Sequence, residues 1–270
     1  MKYETLFSDE RIQKIGFGTW RIGGASTPNI SLDGSSLAAL RSAISLGYTH
    51  FDTAEMYGGG HSEELLGQVV RESGLDREKF FITSKVTPAH LRFDDVLRSC
   101  EASLRNLGMD YMDLYLIHWP SDTIPLEETF RALNQLVAQG MVRYLGVSNF
   151  DLEQLRKSQS LSATPIITNQ VPYSLFDRSY VKNGVVKYCQ EQNILVTAYS
   201  PFKEGRIKVN ASLQSVASAH QATTYQIALA WLVQQPKVIT IPMSFNPAHQ
   251  AENLVADDIE LTDEEMESLT

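Results

Sequence analysis

The sequence predicts an α/β protein of the (β/α)8 barrel class, the TIM-barrel architecture, with an N-terminal β-hairpin closing the bottom of the barrel. Short apolar runs rich in β-branched residues alternate with amphipathic helical segments along nearly the whole chain. Strands alternating with helices of this length imply parallel pairing through crossover connections. Eight strand–helix units within 270 residues fit the usual size of such a barrel. We therefore expect a single domain over residues 1–270.

Each predicted strand is a short apolar run that ends in polar or turn-forming residues. The strands are Lys14–Gly18, Thr49–Thr53, Phe80–Lys85, Met112–His118, Val142–Ser148, Pro165–Gln170, Ile194–Ser200 and Val238–Pro242. The predicted helices carry apolar residues at spacings of three and four, which line one face. They are Ser36–Leu46, Ser62–Glu72, Asp94–Leu107, Leu126–Gln139, Leu152–Ser158, Tyr180–Gln192, Thr224–Gln234, Pro247–Val255 and a final Thr262–Leu269. The segment Glu4–Ile15 alternates around Ser8-Asp9-Glu10, which predicts the hairpin.

A doubly wound open sheet is the alternative architecture. Its dinucleotide-binding turn needs a Gly-x-Gly-x-x-Gly pattern directly after a strand. The nearest candidate, Gly16-Phe17-Gly18, continues into Thr19-Trp20 and lacks the third glycine. The barrel is therefore the favoured interpretation.

Composition excludes several classes of partner and location. The formal net charge of −9 disfavours a nucleic-acid or anionic-membrane surface. Cys100 and Cys189 both fall within predicted helices, so a reducing compartment is expected rather than a disulfide framework. No apolar run approaches ~18 residues, and no signal-peptide core begins the chain. We expect a soluble, cytoplasmic protein, a monomer or weak oligomer, without a metal site.

Ionisable residues stand at the ends of three successive predicted strands. Asp52, Lys85 and His118 follow one another at intervals of 33 residues, which is about one strand–helix unit. The carboxyl ends of barrel strands meet at one mouth, where active sites lie. Tyr57 follows Asp52 by five residues, in a glycine-rich loop. Each residue alone would usually be structural, but the four in register predict a site.

The chemistry of these groups fits proton donation to a carbonyl that receives a hydride. A tyrosine hydroxyl is a weak acid, with a reference pKa of about 10. We expect the Lys85 ammonium to lower the pKa of Tyr57, and Asp52 to keep the lysine charged. His118 can donate a hydrogen bond to the substrate oxygen. The hydride requires a cofactor, for which later strand ends offer carboxamide partners and an aromatic face: Ser148, Asn149, Gln170 and Tyr199.

The order of these motifs resembles the aldo-keto reductases across nearly the whole chain. The matching pieces are Gly16-Phe17-Gly18-Thr19-Trp20, Asp52-Thr53-Ala54 with Tyr57, Gly67, Lys85, Leu114 to Pro120, Gly146-Val147-Ser148-Asn149-Phe150, Gln170, Tyr199-Ser200-Pro201 and Ile241-Pro242. The resemblance implies a barrel that reduces aldehydes or ketones with a nicotinamide nucleotide. It also implies that Tyr57 is the proton donor, that Lys85 and Asp52 tune it, and that His118 orients the carbonyl.

The resemblance further implies a substrate pocket and a cofactor site. Trp20 and Trp119 would wall the pocket beside Tyr57 and His118, although isolated aromatics are equally often core residues. The loop Pro201–Lys208 would lie across the pyrophosphate. The implied cofactor-binding residues are Thr19, Trp20, Ser148, Asn149, Gln170, Tyr199, Ser200, Pro201, Gly205, Ile241, Met243, Ser244, Phe245, Asn246, His249, Glu252 and Asn253.

The chain departs from the family pattern at the expected 2′-phosphate site. Many members have a lysine at the position of Met243 and an arginine at that of His249, and no Lys or Arg follows Lys237. We therefore expect NADP(H) as cofactor, by resemblance, with NAD(H) tolerated. The chain also ends at Thr270, without the pocket-covering extension of many members. An open mouth predicts broad specificity for small carbonyl substrates.

Two other functions share these features. A nucleotide-binding regulatory subunit, like the β subunits of potassium channels, has the same fold, and fold alone does not determine function. A barrel aldolase would instead use Lys85 to form a Schiff base with its substrate. The complete set of Asp52, Tyr57, Lys85 and His118 favours the reductase.

Overall fold

A computed structural model describes residues 1–7, 9–203 and 205–270. The chain begins with an antiparallel pair, β1 (Tyr3–Thr5) and β2 (Arg11–Gln13). This pair is the predicted hairpin, although Ser8 of its predicted turn lies outside the described residues. Eight further strands form one parallel sheet in sequence order: β3 (Phe17–Gly18), β4 (His50–Asp52), β5 (Phe81–Val86), β6 (Met112–Ile117), β7 (Val142–Ser148), β8 (Ile166–Pro172), β9 (Leu195–Tyr199) and β10 (Val238–Thr240). The predicted α/β class with eight parallel strands is confirmed.

Helices connect the strands and cover the outer face of the sheet. They are α1 (Asp33–Leu46), α2 (His61–Glu72), α3 (Phe93–Leu107), α4 (Leu126–Ala138), α5 (Leu152–Leu161), α6 (Ser179–Lys182), α7 (Val185–Glu191), α8 (Ala211–Ala219), α9 (Thr224–Gln234), α10 (Pro247–Leu254) and α11 (Asp263–Ser268). Short 3-10 segments occur at Ile30–Leu32, Tyr57–Gly60, Arg77–Lys79, Pro88–His90 and Val255–Asp258. No helix among the described residues is both long and apolar enough to cross a bilayer.

The structure differs from the predicted helices in two places. The single helix expected over Tyr180–Gln192 is wrong, because Gly184 has a φ of 83° and separates α6 from α7. That value lies in the left-handed region, which interrupts a right-handed helix. Helix α8 was not predicted at all, since its Ala- and Ser-rich sequence carries only a weak apolar pattern.

The two edges of the parallel sheet are linked by backbone hydrogen bonds. Ile15 forms a parallel bridge with Thr240, and the amide of Gly16 donates to the Thr240 carbonyl at 2.8 Å. The amide of Gly18 donates to the Pro242 carbonyl at 3.2 Å. Because the segment before β3 makes only this bridge, the predicted strand Lys14–Gly18 is shortened to two residues.

An apolar core lies against the sheet and includes the hairpin. Leu6 and Ile12, from the hairpin, join a cluster of strand residues: Phe81, Leu114, Leu116, Ile167, Leu195 and Ile239. The hairpin is also tied by charge, since Glu10 accepts hydrogen bonds from Arg143 at 2.8 Å and from the Tyr144 hydroxyl at 2.7 Å. This apolar packing leaves the carboxyl ends of the strands to carry polar groups.

Candidate active site

A buried ion pair joins the ends of β4 and β5. Lys85 is 0% exposed and Asp52 is 2% exposed. The Lys85 Nζ atom donates to Asp52 Oδ1 at 2.5 Å and to the backbone carbonyl of Thr53 at 2.7 Å. The other carboxylate oxygen of Asp52 accepts the Gln170 Nε2 amide at 2.8 Å. A buried ammonium requires such partners, because an unpaired buried charge is strongly destabilising.

Tyr57 completes the contact with the lysine from the loop that follows β4. Its hydroxyl lies 3.3 Å from Lys85 Nζ, within hydrogen-bond distance. The next three residues, Gly58, Gly59 and Gly60, have φ values of 58°, 60° and 94°. Only glycine adopts this region without strain, so the three glycines permit the tight turn that leads from Tyr57 into α2. The sequence-predicted set of Asp52, Lys85 and Tyr57 is therefore brought together.

The pKa of Tyr57 differs in direction from the sequence expectation. Burial raises the pKa of the phenol, and although the Lys85 ammonium lowers it, the net pKa lies above its usual value. For Lys85, burial lowers the pKa of the ammonium, but Asp52 and Tyr57 outweigh it and the net pKa is raised. The prediction of a lowered Tyr57 pKa is thus wrong. Tyr57 is a neutral phenol beside a charged lysine at neutral pH.

His118 follows β6 and faces the same cavity as Tyr57. The two ring centroids are 5.7 Å apart, in an edge-on arrangement. Burial, with the Lys85 charge as a second cause, lowers the pKa of His118 to about 2, so the imidazole is neutral. Its Nδ1 is buried and has no hydrogen-bond partner among the described residues. The ring can therefore present Nε2–H as a neutral donor.

Two tryptophans flank these groups at the mouth. Trp119 stacks on His118 with centroids 3.9 Å apart and planes 17° from parallel. Trp20 packs edge-on against Tyr57, at 5.0 Å between centroids. The two indoles are 37% and 38% exposed, which places them at the surface of the cavity rather than in the core.

The polar residues of β7, β8 and β9 bond to one another at the strand ends. Asn149 Nδ2 donates to the His118 carbonyl at 3.1 Å and to Ser148 Oγ at 3.0 Å. The Tyr199 hydroxyl donates to Asn149 Oδ1 at 2.9 Å, and Ser148 Oγ donates to the Gln170 carbonyl at 2.9 Å. This network fixes a row of amide and hydroxyl groups beside the ion pair.

One cavity of about 720 Å³ is lined by these groups, except the fully buried Lys85 behind Tyr57 and Asp52, and extends toward the start of α10. Of the predicted cofactor residues, it is lined by Thr19, Trp20, Ser148, Asn149, Gln170, Tyr199, Ser200, Pro201, Gly205, Ile241, Met243, Ser244, Phe245, His249, Glu252 and Asn253. Asn246 is the exception. Its Oδ1 caps α10 by accepting the Ala248 amide at 2.9 Å. Within the predicted loop Pro201–Lys208, Glu204 lies outside the described residues.

Six lining residues were not in the predicted catalytic, cofactor or substrate sets: Gly18, Arg21, Met56, Phe202, Tyr225 and Pro242. Gly18 could have been recognised from the Gly-Phe-Gly motif, and its absent side chain matters, because a Cβ there would lie 2.7 Å from the Ile241 carbonyl oxygen. Tyr225 had no sequence signal, since a single aromatic near a helix start is indistinguishable from a core residue, whereas Phe202 lies in the loop Pro201–Lys208 that the resemblance places across the pyrophosphate. Among the described residues, Arg21 is the only lysine or arginine lining the cavity.

The volume and lining of the cavity are compatible with a nucleotide. Its volume lies within the range of about 300–1,000 Å³ typical of ligand pockets. The amides and hydroxyls of the strand ends suit a carboxamide. Metal chemistry has no comparable ligand set, because no group of three or more His, Cys, Asp or Glu side chains placed to hold an ion occurs in the described part of the chain.

Comparisons with known proteins identify the family. Residues 14–270 match the model of the aldo/keto reductase family. The chain is 38% identical over 267 residues to methylglyoxal reductase YeaE of Escherichia coli, covering 97% of this chain and 91% of the relative. It is 36% identical over 231 residues to glyoxal reductase of Bacillus subtilis, covering 86% and 81%.

Solved structures agree with this result. The thermostable aldo-keto reductase Tm1743, in complex with the inhibitor epalrestat, has a TM-score of 0.97 and 47% identity, covering 100% of this chain and 98% of that one. An aldo/keto reductase of Klebsiella pneumoniae in complex with NADP and acetate has a TM-score of 0.87 and 36% identity, covering 98% and 92%. The family model and these relatives span nearly the whole chain, so the chain belongs to the aldo/keto reductase family.

Proposed function

We propose that this protein reduces small aldehydes and ketones to alcohols at the expense of NADPH, with Tyr57 as the proton donor. The observation that carries the proposal is the contact of the buried Lys85 ammonium with both Asp52 and the Tyr57 hydroxyl at the cavity. A bound reduced nicotinamide nucleotide would supply the hydride.

The chain's own residues perform the proton transfer. Tyr57 is protonated at rest and gives its proton to the carbonyl oxygen as the alcohol forms. The Lys85 ammonium stabilises the phenolate that remains, while Asp52 holds the ammonium charged and in place. His118, neutral and held by its stack with Trp119, donates a hydrogen bond that orients the carbonyl. Trp20 and Trp119 limit the access of water to the reacting oxygen.

An aldolase function is disfavoured by the state of Lys85. A Schiff-base lysine must be neutral to attack a carbonyl. The pKa of Lys85 is raised, however, because its contacts with Asp52 and Tyr57 outweigh burial, and the ammonium is 0% exposed. It therefore lacks both the lone pair and the access that the aldolase reaction needs.

Short oxoaldehydes are the substrate class best supported. Two relatives are named methylglyoxal reductase and glyoxal reductase. We propose methylglyoxal and glyoxal as the first compounds to assay, within a panel of other aldehydes and ketones. The hydrogen-bond donors of Tyr57 and His118 suit one carbonyl oxygen, while the apolar walls formed by the two tryptophans can contact the rest of a small substrate.

We also propose that NADH is tolerated. Met243 and His249 occupy the positions where many family members place a lysine and an arginine. Loss of such a charge-assisted pair weakens binding by roughly ten- to a hundredfold. Dissociation constants for NADPH and NADH, measured by calorimetry, should then lie within about a hundredfold of each other, since a hundredfold is about 2.7 kcal/mol. A thousandfold preference for NADPH would contradict this part of the proposal.

The hydrogen bonds from the segment before β3 to β10 support a closed barrel, with the hairpin covering its amino-terminal end. Leu6 and Ile12 pack against the strand residues there, and the β3-side amides of Gly16 and Gly18 reach the opposite edge. We infer one domain over residues 1–270, whose carboxyl-terminal end carries the site.

Replacement of Tyr57 by phenylalanine tests the function. Tyr57→Phe should lower kcat for methylglyoxal reduction by at least about a hundredfold, in line with the loss of a general acid, while the dissociation constant of NADPH stays within about twofold. Tyr48→Phe is the matched control, because it also removes one buried hydroxyl, which donates to the Gln250 carbonyl outside the cavity. Reduction that survives in Tyr57→Phe would refute the assignment, and borohydride trapping of substrate on Lys85 would favour the aldolase.

A further inference from the structure

One wall of the cavity is aromatic, and its residues are distant in sequence from the acid–base groups. Phe202, Tyr225 and Phe245 all line it, together with Glu252 and Asn253 of α10. These residues come from the segments after β9 and β10 and from the start of α9, whereas Tyr57 and His118 follow β4 and β6. The nucleotide's reactive ring belongs beside Tyr57, so this second set faces its other half.

Tyr225 holds the loop that follows β9. Its hydroxyl donates to the Gly205 carbonyl at 3.1 Å. Its ring meets Phe202 edge-on, with centroids 5.0 Å apart and planes at 81°. Phe202 in turn packs on the apolar cluster that contains Leu229 and Leu254. One side chain thus connects α9 to both the backbone and an anchored side chain of the loop.

The first turn of α9, which carries Tyr225, is held in place by hydrogen bonds. Thr223 and Gln226 form a reciprocal capping box at the start of α9, which satisfies two of the free amides of a helix start. Gln226 Nε2 also donates to the Glu252 carbonyl of α10 at 3.2 Å. The ring of Tyr225 is therefore presented at a defined place between two helices, yet is 38% exposed.

The segment that follows β10 offers no lysine or arginine side chain to a phosphate. No lysine or arginine occurs after Lys237, so the segment from Met243 to Asn253 can offer a phosphate only hydroxyl, amide and imidazole groups. Aromatic rings bind bases through their faces without any need for charge, and one base–aromatic contact changes affinity by roughly ten- to a hundredfold. The aromatic wall supplies what the missing cations do not.

We propose that Tyr225, held by Gly205 and Phe202, grips the adenosine half of the nicotinamide nucleotide and does so equally with and without the 2′-phosphate. This inference rests on the proposed function, since it assumes that the cavity binds such a nucleotide. We call Tyr225, with its contacts to Gly205 and Phe202, the aromatic latch. It provides affinity that a charged pair would otherwise provide, and this affinity does not depend on the 2′-phosphate, so NADH should be tolerated.

Calorimetry with three ligands tests the latch: NADPH, NADH and ADP-ribose, which lacks the nicotinamide. Tyr225→Ala should weaken all three by a common factor of about ten or more. Tyr225→Phe keeps the ring but loses the hydrogen bond to Gly205, so it should weaken them by only about two- to tenfold and raise the NADPH dissociation rate in stopped-flow fluorescence. Tyr3→Ala is the control, because Tyr3 is also 38% exposed and lies in the hairpin.

The outcomes separate the latch from the proposed function. If the wild-type protein binds none of the three ligands, both fail. If it binds and uses NADPH, but Tyr225→Ala binds ADP-ribose as the wild type does, only the latch is refuted. A loss confined to NADPH would also refute it, because Tyr225 would then recognise the 2′-phosphate. Matched melting temperatures for Tyr225→Phe and the wild type would show that its effect is local.

Discussion

Neutralising Asp52 isolates the charge that supports the proton donor. In Asp52→Asn the side chain keeps its shape, and a flip of the Gln170 amide restores the hydrogen bond that Asp52 Oδ2 accepts at 2.8 Å. The substitution therefore removes one negative charge and little else. Lys85, which is 0% exposed, would retain only the Thr53 carbonyl, the Tyr57 hydroxyl and an amide oxygen as acceptors.

The magnitude follows from the burial of the pair. Breaking a buried ion pair by removing one partner costs about 3–5 kcal/mol, because the other charge is left uncompensated. Lys85 can avoid part of this by losing its proton, since Asp52 is the foremost of the contacts that raise its pKa against burial. A neutral lysine no longer stabilises the Tyr57 phenolate. We expect the free energy of unfolding to fall by about 3 kcal/mol and kcat/KM to fall by at least about a hundredfold.

Urea unfolding at pH 7 and steady-state reduction of methylglyoxal measure the two effects. A folded-state lysine pKa above the unfolded value of about 10.4 stabilises the fold fully below that pH, and the contribution disappears as pH rises through the folded value. In Asp52→Asn, a Lys85 that loses its proton on folding makes the variant more stable as pH rises toward the unfolded pKa of about 10.4, so the stability difference from wild type should shrink between pH 6 and pH 9. Asp113→Asn is the matched control, because Asp113 is equally buried and pairs with Arg77 at 2.7 Å and Arg143 at 2.9 Å, outside the cavity. It should lose stability but keep kcat/KM. An Asp52→Asn protein with wild-type stability and rate would refute this account of the site.

Three further changes probe the scaffold. Burial lowers the pKa of His50 to about 4, against about 6.5 in the unfolded chain. Between these values only the unfolded chain binds a proton, so the free energy of unfolding falls as pH drops, by up to about 1.4 kcal/mol per pH unit. Urea unfolding at pH 4.5 and 7.5 should show a smaller loss of stability at the lower pH for His50→Asn than for wild type, and an equal loss would contradict the assignment. Gly67→Ala should lower the free energy of unfolding by about 1–3 kcal/mol, since the added Cβ would lie 2.0 Å from the Leu107 carbonyl oxygen. An unchanged urea midpoint would contradict this, because it would mean that α2 and α3 can move apart at no cost. Glu55, two residues before the proton donor, accepts a hydrogen bond from the Thr87 amide at 2.5 Å. Glu55→Ala should therefore lower kcat about tenfold without changing the NADPH dissociation constant, and Glu55→Gln should keep most of the wild-type kcat. Equal kcat values in the two variants would exclude a positioning role.

The sequence was sufficient to predict which side chains meet at the ion pair. Asp52 and Lys85 stand at the ends of neighbouring strands, and parallel strands joined by crossovers bring their carboxyl ends to one edge. That argument needs only the length of each strand–helix unit. It does not depend on the side chains between the strands, so errors in element bounds such as the break at Gly184 did not affect it.

The direction of the Tyr57 pKa could not be predicted in the same way. Pairing with Lys85 is visible in sequence, but desolvation depends on what packs around the phenol. Trp20 lies edge-on at 5.0 Å and His118 at 5.7 Å, and although the resemblance places both residues at the pocket, it does not say how closely they cover the phenol. The role of Asn246 was likewise settled by local geometry, since an Asn before a helix can cap it as readily as it can face a ligand.

A raised resting pKa is compatible with the proposed role of Tyr57. A donor must hold its proton until the carbonyl oxygen gains charge, and the raised pKa keeps Tyr57 protonated at neutral pH. The Lys85 ammonium contributes little while Tyr57 is neutral, but interacts strongly once the phenolate forms at 3.3 Å. Only interactions that are stronger in the transition state than in the ground state accelerate a reaction. Burial therefore keeps the proton on Tyr57 at rest, whereas the ammonium stabilises the phenolate that proton transfer leaves behind, and an enzyme that lost the ammonium would lose rate.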